Sequence, residues 1–504
     1  MPCRGTPFVW ALGLAALSMM PSRAMAQAST SASHFAVTNA RLVTVSGRTI
    51  ENGTIVVRDG IITDLGDGAR VPADAWVIDG SGLTVYPGLI DALSTLGMSR
   101  EDAPPAATGS RFGGGGGPPG QGGGGGSPPS AGPEDRPATY TWRMAADRLT
   151  PDEDAFDRWR SAGFTTVVTG PSVGFFTGNT AVVNLGAERP SSMVVMTPAA
   201  QRFNLSGGPG HRGFPNSLAG AFAYGKQFLS DAGYYRRAKE LYEANPRGRE
   251  RPTYDRALEG ILPVQAGDQP LLFPATTATE IRRALRTSDE MGVRPIVYGA
   301  GAGYGVAGEL ARSAVPVLVS LDWPEVPANP DPTQDVPLKE LRHRLLAPTT
   351  PARFQEAGVR FAFYSEGGSA SDAISGARTA VEAGLSHDQA VRALTLSAAE
   401  IFEVDDRIGS LEVGKIANLT ITDGDLLDEE ASVRMVFVDG QQFEFDGGSD
   451  ERTGARAGRS GNGRRDADDE GVSNSGPSAT ELRSRIDVSH RVAYRDDAVT
   501  VIQN

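Results

Sequence analysis

Over residues 35–87 short apolar runs alternate with polar positions, the period of half-buried strands. The runs cover residues 35–45, 54–58, 61–65 and 76–79, and Asp59-Gly60 separates two of them. That dipeptide marks a hairpin, because both turn residues must accept positive φ. Further along, apolar β-type runs at 165–169, 181–185, 193–196, 270–273, 294–298, 315–319 and 359–364 alternate with stretches of helical spacing. The clearest helical stretches are 279–291 and 306–313, followed by helices near 371–383 and 388–402. Alternation of this kind over such a length predicts an α/β fold, a parallel barrel or a doubly wound sheet. Strand-like runs return at 418–422 and 433–438, with a second Asp-Gly hairpin at Asp439-Gly440. Two strand-rich pieces at opposite ends of the alternating region suggest one small β-sandwich assembled from both.

Composition changes this picture in three places. The first 26 residues carry Arg4, an apolar stretch from Phe8 to Met20 and an Ala-x-Ala site ending at Ala26. That is the pattern of a cleaved secretory signal, shorter than a membrane span, so the mature chain is expected in the periplasm or outside the cell, without an integral membrane segment. Cleavage would remove Cys3, the only cysteine, leaving no disulfide or thiolate. Residues 101–136 and the tail 446–504 are rich in Gly, Pro, Ser and charged residues, a composition that cannot bury enough apolar surface to offset chain ordering. The glycine runs lack the lysine and strand-to-helix frame of a phosphate loop. The formal charge of -13, with no basic run, gives no footprint for nucleic acid.

The order and spacing of several motifs then point to a family. Residues 40–44, 50–54 and 57–62, Thr84-Val85-Tyr86-Pro87-Gly88-Leu89-Ile90-Asp91, Gly163-Phe164-Thr165-Thr166, and Gly409-Ser410-Leu411-Glu412-Val413-Gly414-Lys415 resemble the opening, middle and closing signatures of amidohydrolases, especially the imidazolonepropionase-like branch. The resemblance spans about residues 35–445. It implies a (β/α)8 TIM-type barrel over 87–408, with the insertion 101–136, and a composite β-sandwich from 35–86 and 409–445.

It also implies a divalent metal such as Zn, held at strand ends, that lowers the pKa of water from about 15.7 to about 7. The two histidines of the first strand are here Leu93 and Thr95. By the same alignment the other ligand positions carry Gly207, Pro274 or Thr276, and Gly301, while Glu366 stands where the family has its Asp. Leu offers no lone pair, and a lone Thr hydroxyl is a poor ligand. No metal cofactor is therefore expected, and Glu366 is the single candidate catalytic group. The five histidines, His34, His211, His343, His387 and His490, form no His-x-His or His-x3-His pair. Asp322, Glu325 and Asp331 follow a strand end but read as solvated loop acids, and Ser206 lacks a neighbouring base.

The expected function is a catalytically degenerate subunit that supports an active amidohydrolase partner or pairs with itself. One alternative is an active hydrolase of carbon–nitrogen bonds in cyclic or linear amides. In that case Glu366 acts as base, or a metal such as Zn binds through other residues. The second alternative is a protein that binds a small molecule in the vacated pocket.

Overall fold

The computed structural model describes residues 34–99, 136–186, 189–208, 214–325, 335–366 and 368–445. The expected signal peptide, the body of the insertion and the tail lie outside these residues, as do His211, His490 and Asp331. The chain divides into residues 1–448 and 449–504, and every described residue belongs to the first unit.

The chain opens with β1 (His34–Leu42), β2 (Ile50–Arg58), β3 (Ile61–Gly66), β4 (Trp76–Asp79), β5 (Thr84–Pro87) and β6 (Leu89–Ser94), followed by α1 (Glu153–Arg160) and β7 (Phe164–Thr169). Next come β8 (Phe176–Asn179), β9 (Ala181–Asn184), α2 (Pro190–Met193), β10 (Val194–Met196) and β11 (Gln201–Phe203). Two helices, α3 (Leu218–Ala244) and α4 (Arg256–Ala266), precede β12 (Leu271–Ala275), α5 (Ala278–Met291), β13 (Pro295–Gly299), α6 (Ala307–Ser313) and β14 (Val317–Ser320). Then α7 (Leu338–Leu346), α8 (Thr350–Ala357), β15 (Phe361–Tyr364), α9 (Ala370–Glu382), α10 (His387–Ala393) and α11 (Leu396–Ile401) lead to β16 (Leu419–Thr422), β17 (Val433–Val438) and β18 (Gln441–Glu444).

Both terminal pieces enter one eight-stranded sheet in the order β18-β17-β16-β5-β1-β2-β3, with β4 also on β1. Alternate residues of this sheet, among them Val37, Leu42, Ile55, Val57, Val85 and Ile421, bury one apolar face. The sheet curls: the Phe35 ring on β1 stacks on Phe437 of β17 at 4.2 Å, although two strands lie between them. The two Asp-Gly turns meet as the sheet closes. A Cβ on Gly440 would lie 2.7 Å from the Gly60 Cα, so only glycine permits this approach.

The remaining strands form a four-stranded sheet, β10-β9-β7-β6, and a six-stranded sheet, β15-β14-β13-β12-β11-β8. Strands β11 to β15 are parallel, as are β6 and β7. Residues 181–185, expected as one more parallel strand, instead run antiparallel to β7. Only Thr180 separates β8 from β9, and this bent segment pairs with β7 at one end and β11 at the other. The two sheets are stitched where it bends, through Thr180 N–H to Ala200 O and Ala199 N–H to Thr180 O, each 2.8 Å. At the opposite edges Glu366 N–H donates to Leu93 O at 3.2 Å.

One apolar cluster, including Ile90, Ala92, Val168, Leu272, Ile296, Leu318 and Ala362, lies between these strands, and a larger one lies between the strands and helices. The single helix expected at 388–402 is two, because Thr395 sits at φ -135°, ψ -97° between α10 and α11. Among the described residues no helix is long and apolar enough to cross a membrane.

Candidate functional site at the strand ends

Parallel strands place their C-terminal ends on one face, where α/β proteins gather their chemistry. Strand β6 brings Asp91, Leu93 and Thr95 towards that face. Asp91 is 2% exposed. Its Oδ1 accepts from the Ser365 backbone N–H at 2.9 Å and from Leu93 N–H at 3.4 Å, and Oδ2 accepts from the Ser365 hydroxyl at 2.6 Å. The acid of the Pro-Gly-x-x-Asp motif thus ties β6 to the residue that follows β15. Burial pushes its pKa up to about 7, against the lowering effect of the Ser365 hydrogen bonds.

Leu93 is fully buried and packs in the apolar cluster that also holds Tyr298 and Tyr364. Thr95 is half-buried and lines a cleft of about 730 Å³ with Ser94, Gly97, Asp152, Trp159 and Gly368. The other substituted positions fall at neighbouring strand ends. Thr276 is exposed and its N–H donates to Glu280 at the start of α5. Gly301 lies close to it: a Cβ built there would be 3.9 Å from Thr276 Cγ2 and 3.8 Å from His343 Cε1. Gly207 is half-buried in the loop after β11.

Glu366 does reach this face, and its partner is a residue the sequence reading passed over. Arg202, on β11, donates from Nη2 to Glu366 Oε1 at 2.8 Å. Arg202 is 3% exposed, whereas the Glu366 side chain is 46% exposed. The guanidinium lies 5.2 Å from the centre of the Tyr298 ring, and Tyr298 meets Tyr364 edge-on at 6.2 Å. Tyr298 donates its hydroxyl to Asn204 Oδ1 at 2.6 Å. Arg202 Nε and Nη1 are buried without an aligned acceptor.

Burial weakens the Arg202 charge, but the Tyr298 hydroxyl and the Glu366 carboxylate outweigh it and raise its pKa. Burial, followed by the charge of Glu366, raises the Tyr364 hydroxyl well above its ordinary value. Tyr298 is raised by burial too, against the neighbouring Arg202. Both phenols are therefore neutral donors at physiological pH. The signal that could have marked Arg202 was a cation in an otherwise uncharged run, Ala199-Ala200-Gln201-Arg202-Phe203.

These side chains do not fit a catalytic divalent ion. Such an ion takes imidazoles and carboxylates, and the face offers a leucine, a hydroxyl, the Asp91 carboxyl already bonded to Ser365, and the Glu366 carboxylate paired to a buried guanidinium that would repel it. Among the described residues no three His, Cys, Asp or Glu side chains gather as a metal-binding group. Of the described histidines, His34 and His387 serve elsewhere. His34 lies 3.3 Å from Asp74, and His387 Nε2 is 2.5 Å from Asp425, a contact that raises the His387 pKa. The ring of His343 faces Tyr304 at 6.3 Å. Asp322 takes its place in a turn, its N–H donating to Ser320 at 3.2 Å, and Ser206 is exposed.

Residues 335–443 match the Amidohydrolase family. No curated protein matches the chain. Among solved structures, an amidohydrolase from Thermotoga maritima is similar over 82% of this chain and 100% of its own, with TM-score 0.66 and 23% identity. A prolidase complexed with N-methylphosphonate-L-proline shares 17% identity at TM-score 0.47, again over 82% of this chain and 100% of that one. A Xaa-Pro dipeptidase with bound methionine in its active site shares 15% at TM-score 0.46 with the same coverage. Residues 335–443 therefore mark an amidohydrolase family domain, set in a mixed α/β fold shared with a solved amidohydrolase.

Proposed function

We propose that this chain is a catalytically degenerate amidohydrolase of the imidazolonepropionase-like branch, exported from the cytoplasm and retained as a supporting subunit for an active relative. In this reading β6, β7, the bent β9–β8, β10–β11 and β12 to β15 are the eight staves of a barrel, one of them reversed. Glu366 N–H to Leu93 O and the Asp91–Ser365 bonds close it. The observation that carries the functional reading is Arg202: a buried guanidinium, fixed to Glu366, stands at the strand ends where a hydrolase of this kind needs a divalent ion. Glu366 as general base alone offers about 10²- to 10⁴-fold, far below what a metal-bound hydroxide supplies, and its pairing to Arg202 opposes even that role.

The test assays the mature protein alone against cyclic amides and dipeptides, and captures it from its native envelope. The reading expects no turnover above a Glu366→Gln control and co-purification of an amidohydrolase that keeps its His-x-His pair. A monomer that hydrolyses amides alone would defeat it.

A second reading, a binding protein for a small molecule, is favoured by the two Arg202 nitrogens that lack an aligned acceptor. It is compatible with the first, because a subunit without chemistry can still sense a ligand.

A further inference from the structure

We propose that Arg202 anchors a binding site for a small carboxylate, and that the Glu366 side chain occupies this site as an internal stand-in. The inference rests on the metal-free reading of the strand ends, yet concerns a separate property of the same residues.

A buried guanidinium with unpaired N–H groups destabilises a fold, and an apolar residue of similar size is often better tolerated. Arg202 is such a group: it is 3% exposed, and Nε and Nη1 have no aligned acceptor. Its nitrogens form a planar fork that matches a carboxylate through two parallel hydrogen bonds. Glu366 satisfies only one prong, Nη2 to Oε1 at 2.8 Å. The site is therefore charged, buried and half filled.

Glu366 has the features of an occupant that can leave. Its side chain is 46% exposed, so solvent reaches it directly. Its backbone sits at φ 51°, in the left-handed region that residues with a side chain avoid. Its other oxygen, Oε2, is 3.4 Å from the Tyr364 hydroxyl, a long contact. A ligand carboxylate offering both oxygens to the fork replaces this single bond and releases Glu366 to water. The rings of Tyr298 and Tyr364 stand beside the guanidinium, so the body next to the ligand's carboxylate meets aromatic surface. This favours a short apolar or aromatic acid.

The experiment uses the full mature chain and the variants Glu366→Ala, Arg202→Met and Arg202→Lys. Sodium benzoate and sodium acetate are titrated against sodium chloride at matched ionic strength, followed by melting temperature and by NMR of ¹³C-labelled acetate. Removal of the stand-in should tighten carboxylate binding at least tenfold in Glu366→Ala. Arg202→Met should abolish it in both backgrounds, and Arg202→Lys, which keeps the charge without the fork, should weaken it about tenfold. Should Arg202→Met fail to fold, the Lys variant alone decides. Equal responses to benzoate and chloride in Glu366→Ala would overturn the proposal. So would undiminished binding in Arg202→Lys, or a stronger response to sodium phosphate than to benzoate. A stoichiometric metal in the protein would instead sink the reading of function on which the proposal rests, while a metal-free protein indifferent to carboxylates sinks the proposal alone.

Discussion

Asn418 and Arg202 are both buried polar residues, 5% and 3% exposed, and they are treated in opposite ways. Asn418 lies in the closing segment of the curled sheet. Its Nδ2 donates to Thr166 at 3.1 Å and Asn184 at 2.9 Å, and its Oδ1 accepts from Asp439 N–H at 2.9 Å. Asn184 in turn donates to Asp439 at 2.7 Å. The two Nδ2 bonds and the Asn184–Asp439 bond join the terminal sheet to β7 and β9, while the Asp439 N–H bond braces the closing segment itself. Arg202 by contrast keeps two nitrogens without an aligned acceptor. The signature motifs therefore persist as packing devices, while at the strand ends Arg202 keeps part of its polar capacity unmet. Fully satisfied networks specify a fold, whereas an unpaired buried charge is a mark of function.

Substitutions can break that contrast. The largest effect is expected at Gly88, where a Cβ would lie 2.1 Å from Thr165 Oγ1, itself fully buried. Gly88→Val should cost more than about 4 kcal/mol and leave little soluble protein. A melting temperature within a few degrees of the parent would contradict the packing account.

Asp91 comes next, through pH. Its folded pKa of about 7 lies above the ordinary 3.8, so the folded chain holds a proton that the unfolded chain releases. Stability from this group is fully present below the ordinary value and is lost as pH rises towards about 7, on the order of 4 kcal/mol in all. Asp91→Asn should remove this part of the slope in urea unfolding between pH 4 and 7. An unchanged profile would show that the clamp is ionised throughout.

A smaller loss, about 2 kcal/mol, is expected for Asn418→Leu, which takes the acceptor from the Asp439 N–H and one donor from each of Thr166 and Asn184. The sheet should also loosen from the strands, read as faster amide exchange at Asp439. The smallest effect is expected at Arg202. Since its guanidinium is incompletely paired, Arg202→Met should change stability by no more than about 1 kcal/mol, in either direction. A loss as large as that at Asn418 would place Arg202 among the packing devices.

Much of the fold was legible in the sequence. The runs at 76–79 and 433–438 are strands with the expected bounds, and the stretch at 279–291 is helical, headed by the capping box of Thr277 and Glu280. The two Asp-Gly turns were readable because only special backbone geometry permits them. The long helix α3 was not. Its apolar residues, Phe222, Phe228, Leu229 and Tyr235 among them, are spread around the helix with Leu218 and Tyr234 exposed, so no single stripe announces it. The reversal of β9 was hidden too, since a strand buried on both faces reads alike in either direction. At the site, Leu93 lies on β6 and Glu366 follows β15. Arg202 escaped because its role depends on a residue 164 positions away.

The central claim is that a protein guanidinium, rather than a metal ion, supplies the positive charge at the strand ends. Elemental analysis of the mature protein, purified without tag, chelator or added metal and then dialysed, tests it most directly. The account predicts well under one equivalent of Zn, Mn, Fe or Ni, unchanged in Glu366→Ala. One equivalent or more that survives dialysis and falls in Glu366→Ala would contradict it.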